Sequence, residues 1–164
     1  MLFYQAAAER LHAAPGVERV GVATALPLQW IGNGEAMKVP GVEKLVRVRF
    51  KRVDAGYFQA LGIPVLAGRG ITGRDVDGTP RIMVINEALA ARLASVAGAK
   101  NPVGMTVRVS CPGYVEKALF MPEVQIAGVI RNERTSGLHA PEEIHPRIVS
   151  WLRAHSEPVT PPPA

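Results

Sequence analysis

Cysteine is almost absent from this chain: Cys111 stands alone, so no disulfide can form within it. Flanked by Ser110 and Pro112, and with no histidine at an activating spacing, Cys111 shows no sign of a catalytic thiol. Aromatic residues are scarce, at 5%, so the core has to be built from Val, Ile, Leu and Ala. Long apolar runs are missing too. Residues 20–34 and 55–68 are the longest uncharged windows, and Pro27 and Gly62-Ile63-Pro64 break them. Neither approaches the roughly 18 apolar residues of a membrane-spanning helix. Met1 leads straight into an amphipathic segment, which does not read as a secretory signal. No G-x-x-x-x-G-K-[ST] sequence occurs, which excludes a P-loop ATPase.

What is present fits a globular domain. The length of 164 residues supports one domain, or two small lobes sharing a core. Hydrophobic content is 48% and charged content 20%, which argues against disorder except at the end. The net charge of +5 permits an anionic partner without specifying one. The cations are spread and lack interleaved aromatics, so nucleic acid is not the expected partner.

Along the chain, residues 2–14 are predicted to be helical, with Phe3, Ala7 and Leu11 on one face and Pro15-Gly16 as the stop. Residues 17–24 are predicted as a strand, and residues 29–35 as a loop whose Trp30 covers the core. Residues 44–53 alternate cleanly: Val46, Val48 and Phe50 point one way, and Arg47, Arg49 and Lys51 form a solvated basic stripe on the other. Asp54 is placed to cap a short helix with an apolar Tyr57, Phe58, Leu61 stripe. Gly62 can take the left-handed position behind it, Ile63 closes the contact, and Pro64 forbids continuation.

Val65-Leu66 reads as a strand and Thr72 with Asp75 as a capping box. Residues 82–85 form an apolar run suited to a strand buried on both faces. Asn86 caps a helix over residues 87–93 packed through Leu89 and Leu93. Strands are expected at 106–110 and 123–131, the latter with Val124, Ile126 and Ile130 on one face. Residues 112–122 form a loop, residues 146–154 a short helix using Ile148, Trp151 and Leu152, and residues 158–164 a disordered proline-rich tail.

The motifs that suggest chemistry fail on context. Gly68-Arg69-Gly70-Ile71-Thr72-Gly73 matches G-x-G-x-x-G, but the following RDVDGTP cannot open the long helix that a pyrophosphate site needs. His139, Glu142, Glu143 and His145 group metal-binding residue types, yet the histidines are six apart across a proline, not on one helical face. His12 and His155 read as surface residues. Asp54, Thr72, Asp75 and Asn86 are each accounted for as caps. No catalytic, cofactor-binding or metal-binding residue is assigned, and the chain is not expected to be an enzyme.

The order of segments carries a resemblance. YF-x-x-LGIP-x-L-x-GR, then T-x-x-D, VINEALAARL and NPVG, resembles the MacB-like periplasmic core domain of MacB- and FtsX-type ABC transporter permeases. FYQAAAERLHAAPGVERVGVATALPL near the start and EVQIAGVIRNERTSGL at residues 123–138 are similar to the same family. The likeness fades after Leu138. It implies an α+β fold with mixed sheets and βαβ-like units over residues 1–157. It further implies two lobes: a porter-like lobe from residues 1–53 and 112–151, and a smaller α/β lobe inserted at 54–111.

Function follows from the same resemblance. It implies a non-catalytic extracytoplasmic insert of a larger inner-membrane protein, often an efflux system. Such an insert transmits conformational change and contacts substrate, an adaptor or its symmetry mate. ATP would be bound by a separate subunit or domain, and no cofactor is implied. The alternative expectation is a stand-alone soluble binding module derived from such a permease.

Overall fold

The structure, a computed structural model, describes residues 2–24, 34–76, 78–109, 123–133 and 147–151, of which 2–5, 34–35 and 147–151 are described by backbone alone. Trp30, Cys111, the 112–122 loop, the His139 to His145 group, His155 and the 158–164 tail lie outside the described residues.

Local sequence explains most of the elements. They run α1 (Leu2–His12), β1 (Gly34–Lys38), β2 (Val46–Val53), α2 (Tyr57–Ala60), β3 (Val65–Gly68), β4 (Ile82–Asn86), α3 (Glu87–Ala97), β5 (Thr106–Val109), β6 (Glu123–Ile130) and β7 (Arg147–Trp151). Helix α2 ends in a Schellman motif: the Ile63 amide donates to the Phe58 carbonyl at 2.8 Å and the Gly62 amide to that of Gln59 at 3.3 Å. Gly62 sits at φ 63°, as its position requires. Helix α3 starts where Asn86 accepts from the Leu89 amide at 3.0 Å. A second cap comes from Asn132, whose side chain accepts from the Ala88 amide at 3.1 Å while its own amide donates to Glu87 at 3.0 Å. Asn86→Ala is expected to cost about 1 kcal/mol, read as a lower midpoint in urea unfolding; an unchanged midpoint would mean that Asn132 carries the cap alone.

The strands form one mixed sheet in the order β3-β6-β4-β7-β2-β1-β5. Pairs β4–β6 and β2–β7 are parallel and the others antiparallel. Strand β5 also pairs with β6, so six strands close into a ring and β3 continues along the β6 edge beyond β5. Strands β3, β4 and β5 of the expected inserted segment lie in the same sheet as those of the other segments, β4 between β6 and β7.

Two cores lie on opposite faces. Inside the ring, Met37, Val48, Met83, Val107 and Ile126 converge, and α3 adds Leu89 and Leu93. On the outer face, Tyr57 and Phe58 of α2 pack with Ile71 over Val53, Ile82, Val84 and Ile130. Strand β4 serves both cores with alternate residues and is buried throughout, as its unbroken apolar run predicts.

Several expectations are corrected. Residues 17–24 make no strand, only the single bridge Ala23↔Val53, on the stretch of β2 beyond the Gly34↔Arg49 end of the β1 ladder. The loop expected up to residue 35 gives way at Gly34 to β1. Residues 147–151 are the strand β7 rather than a helix, since the slot between β2 and β4 offers backbone partners on both sides. The α2 N-cap is Gly56 with no side-chain bond, and the Asp54 Oδ1 is buried without a hydrogen-bond partner. Leu61 and Leu11 are exposed, so neither anchors its helix. A register shift of β4 against β6, between Ile126 and Gly128, turns Val129 inward and Ile130 outward, away from the face of Ile126.

Candidate functional site

The parity of β2 places its last lysine in an unexpected setting. Val46 and Val48 face the ring interior, whereas Lys51 and Val53 face the outer core. Arg47 is exposed and Arg49 half-buried, but Lys51 is only 2% exposed, so it does not belong to a solvated basic stripe. Its ammonium donates to Glu133 Oε1 at 2.6 Å and to the Tyr57 hydroxyl at 2.7 Å. The Tyr57 hydroxyl donates in turn to Glu133 Oε2 at 2.9 Å. The result is a closed triangle from β2, α2 and the segment leaving β6. A buried charge tolerates such a place only when paired and hydrogen-bonded. Both carboxylate oxygens and the phenol are engaged within the triangle, which makes it a tie between elements.

The turn after β3 holds a second cluster. The Arg69 guanidinium grips Asp75 with two bonds of 2.7 and 2.8 Å. The Thr72 amide and hydroxyl donate to Asp75 Oδ2 at 2.8 and 2.9 Å. Only half of the expected capping box is present: the Asp75 carboxylate accepts from the Thr72 amide, but the Asp75 amide donates to the Thr72 backbone carbonyl at 3.1 Å and not to its hydroxyl, and the pair closes a turn instead of a helix. This is also where G-x-G-x-x-G lies, and its Arg69 is committed to Asp75. The guanidinium hydrogen bond, with help from Thr72, holds the Asp75 carboxyl below the usual carboxylate range against the opposing effect of burial.

A depressed folded pKa means stability present above about pH 4, the unfolded value, and lost as pH falls through the folded one. Asp75→Asn is accordingly expected to show a flatter decline in urea midpoint below pH 4 than the parent. An identical acid limb in both proteins would show that Asp75 contributes nothing to it.

Two surface features complete the survey. A cleft of about 460 Å³ is lined by Lys38, Glu43, Thr106, Arg108 and Glu123 beside the β1–β2 turn. Its Arg108–Glu123 pair, at 3.0 Å, is exposed on both sides and adds little stability. Strand β3 is exposed along its length, and Val65 and Leu66 lie near Leu61 in sequence on an apolar stretch open to solvent. Among the described residues no three His, Cys, Asp or Glu side chains gather as metal ligands, and no helix is long and apolar enough to cross a membrane.

The expected caps divide. Asn86 caps its helix, Thr72 and Asp75 join Arg69, and Asp54 supplies no side-chain cap to α2. Lys51, Tyr57 and Glu133 were not expected together. The available signal was that Lys51 shares its strand face with Val53, but nothing in the sequence brings Glu133 across from residue 133.

The MacB-like periplasmic core domain family matches residues 3–155, so the likeness expected to fade after Leu138 continues to residue 155. No curated protein shows a significant sequence match. Among solved structures, the periplasmic region of MacB from Actinobacillus actinomycetemcomitans is similar, with a TM-score of 0.54 at 15% identity, over 90% of this chain and 54% of that one. The extracellular domain of the noncanonic ABC-type transporter YknZ from Gram-positive bacteria gives a TM-score of 0.54 at 18% identity, over 88% of this chain and 59% of that one. The chain thus spans somewhat over half the length of these structures, and at such identities they speak for the fold. The family match, by contrast, covers nearly the whole sequence, and on that ground the chain belongs to the MacB-like periplasmic core domain family, the extracytoplasmic region of ABC transporter permeases.

Proposed function

We propose that this domain is a non-catalytic, interfacial part of an ABC transporter permease. It passes conformational change between the membrane helices and whatever docks outside: substrate, an adaptor or a second copy. The observation that carries the reading is the family match over residues 3–155. The Lys51, Tyr57 and Glu133 cluster agrees with it, since its polar groups tie elements to one another. ATP would be bound by a separate subunit or domain on the other side of the membrane. Efflux is the transport direction proposed.

Immunoblotting of fractionated source cells tests the reading. A membrane-bound band much larger than the 17.6 kDa of this chain is the expected result. A soluble band near 17.6 kDa would overturn it in favour of a stand-alone binding module derived from such a permease.

A further inference from the structure

Strand β7 is the stave that closes the ring. Taking it out of the strand order leaves the open sheet β4-β6-β5-β1-β2, with β4 and β2 as its edges. The slot between those edges must stay about two strand spacings wide, roughly 10 Å, for β7 to fit. Backbone bonds of β7 itself could set that width. The structure shows a second device that does so without β7.

Lys51 lies on β2, the edge on one side of the slot, directly opposite Val149 of β7. On the other side of the same β7 residue stands Val84 of β4. Glu133 belongs to neither edge. It lies three residues beyond the end of β6, which is separated from β2 by both β4 and β7. The 131–133 segment is fixed at that end of β4 by Asn132, bonded to Ala88 and Glu87 at the start of α3. From this anchored base Glu133 reaches Lys51 on the far side of the slot, and Tyr57 of α2 braces both. The contact is buried, so opening it exposes two charges that are otherwise closed on each other.

We propose that Lys51, Tyr57 and Glu133 form a latch that spans the β7 slot, joining the β4–β6 side of the ring to β2, and that β7 is the strand released first when the latch opens. The inference concerns the ring itself and stands whether or not the transporter reading holds. In this ring β7 comes last in sequence order among the described strands, and it pairs with β2 at five positions but with β4 at three: Met83, Val84 and Ile85. A strand so placed can leave without breaking the β1–β2, β1–β5, β5–β6 or β4–β6 ladders.

Hydrogen–deuterium exchange on the full chain tests this strand by strand. Glu133→Gln, which removes the ion pair and keeps the side-chain shape, is expected to speed exchange at residues 147–151 by about tenfold or more through local opening. Tyr57→Phe, which removes one hydroxyl, is expected to speed the same residues by about threefold. Residues 34–38 and 106–109, on the other side of the ring, should stay within about twofold of the parent in both variants. Uniform acceleration of all strands would overturn the latch and leave a general contribution to stability. Unchanged exchange at 147–151 would overturn it outright. Should Glu133→Gln fail to fold, Tyr57→Phe decides by the same comparison.

Discussion

Gly128→Ala is expected to cost at least about 3 kcal/mol, at the upper end of what overpacking a well-filled site costs. Strands β3 and β6 cross at Gly68↔Gly128, so two glycines face each other in the ladder. A Cβ on Gly128 would lie 2.2 Å from the Arg69 carbonyl oxygen and 2.8 Å from that of Ala67. These are backbone atoms, which cannot swing aside as a side chain can. Relief requires β3 to lift from β6, losing the bond from the Arg69 amide to the Ala127 carbonyl. The Arg69–Asp75 turn that follows would move with it. Urea unfolding gives the number. Gly73→Ala is the control, because a Cβ there meets nothing within 4 Å, and its cost should stay within about 0.5 kcal/mol. A Gly128→Ala midpoint as close to the parent as that of Gly73→Ala would show that the strands do not approach as described.

The parts of this fold that were legible in the sequence are those decided by neighbours in the chain. The Gly62–Ile63 helix stop depends on residues within one turn, and it forms as expected. So does the Asn86 cap. The run Ile82 to Ile85 has two apolar residues for each face, and both faces are buried. Illegible parts depend on partners far away. Ile148 and Leu152 stand four apart and suit a helix, yet residues 147–151 are drawn into a slot made by β2 and β4. Ile130 changes face because of a one-residue shift against β4 that no local pattern announces. Lys51 was misplaced because alternation within β2 distinguishes two faces but cannot say that both are covered. The closed triangle depends on three separate elements, and only Lys51 and Tyr57 are close in sequence.

Lys51→Met should be among the most damaging substitutions, costing about 3–5 kcal/mol, as expected when one partner of a buried ion pair is removed. The methionine nearly fills the volume of the lysine stem, so packing loss is small and the cost is electrostatic. It arises because Glu133, with a side chain 8% exposed, loses the ammonium 2.6 Å away that offsets its desolvation. The double variant Lys51→Met with Glu133→Leu removes both charges and should recover most of the loss, since apolar replacement of a buried pair is often neutral or stabilising. The two changes should therefore be strongly non-additive, with a coupling of about 2 kcal/mol or more in a double-mutant cycle. Additive costs below about 1 kcal/mol each would mean the pair behaves as a solvated one. The recovery matters for function as well as stability. A double variant as stable as the parent, but with exchange at residues 147–151 still raised, would separate the latch from the core. It would show that the ion pair decides which strand opens, and the apolar packing on either side decides how firmly the rest holds.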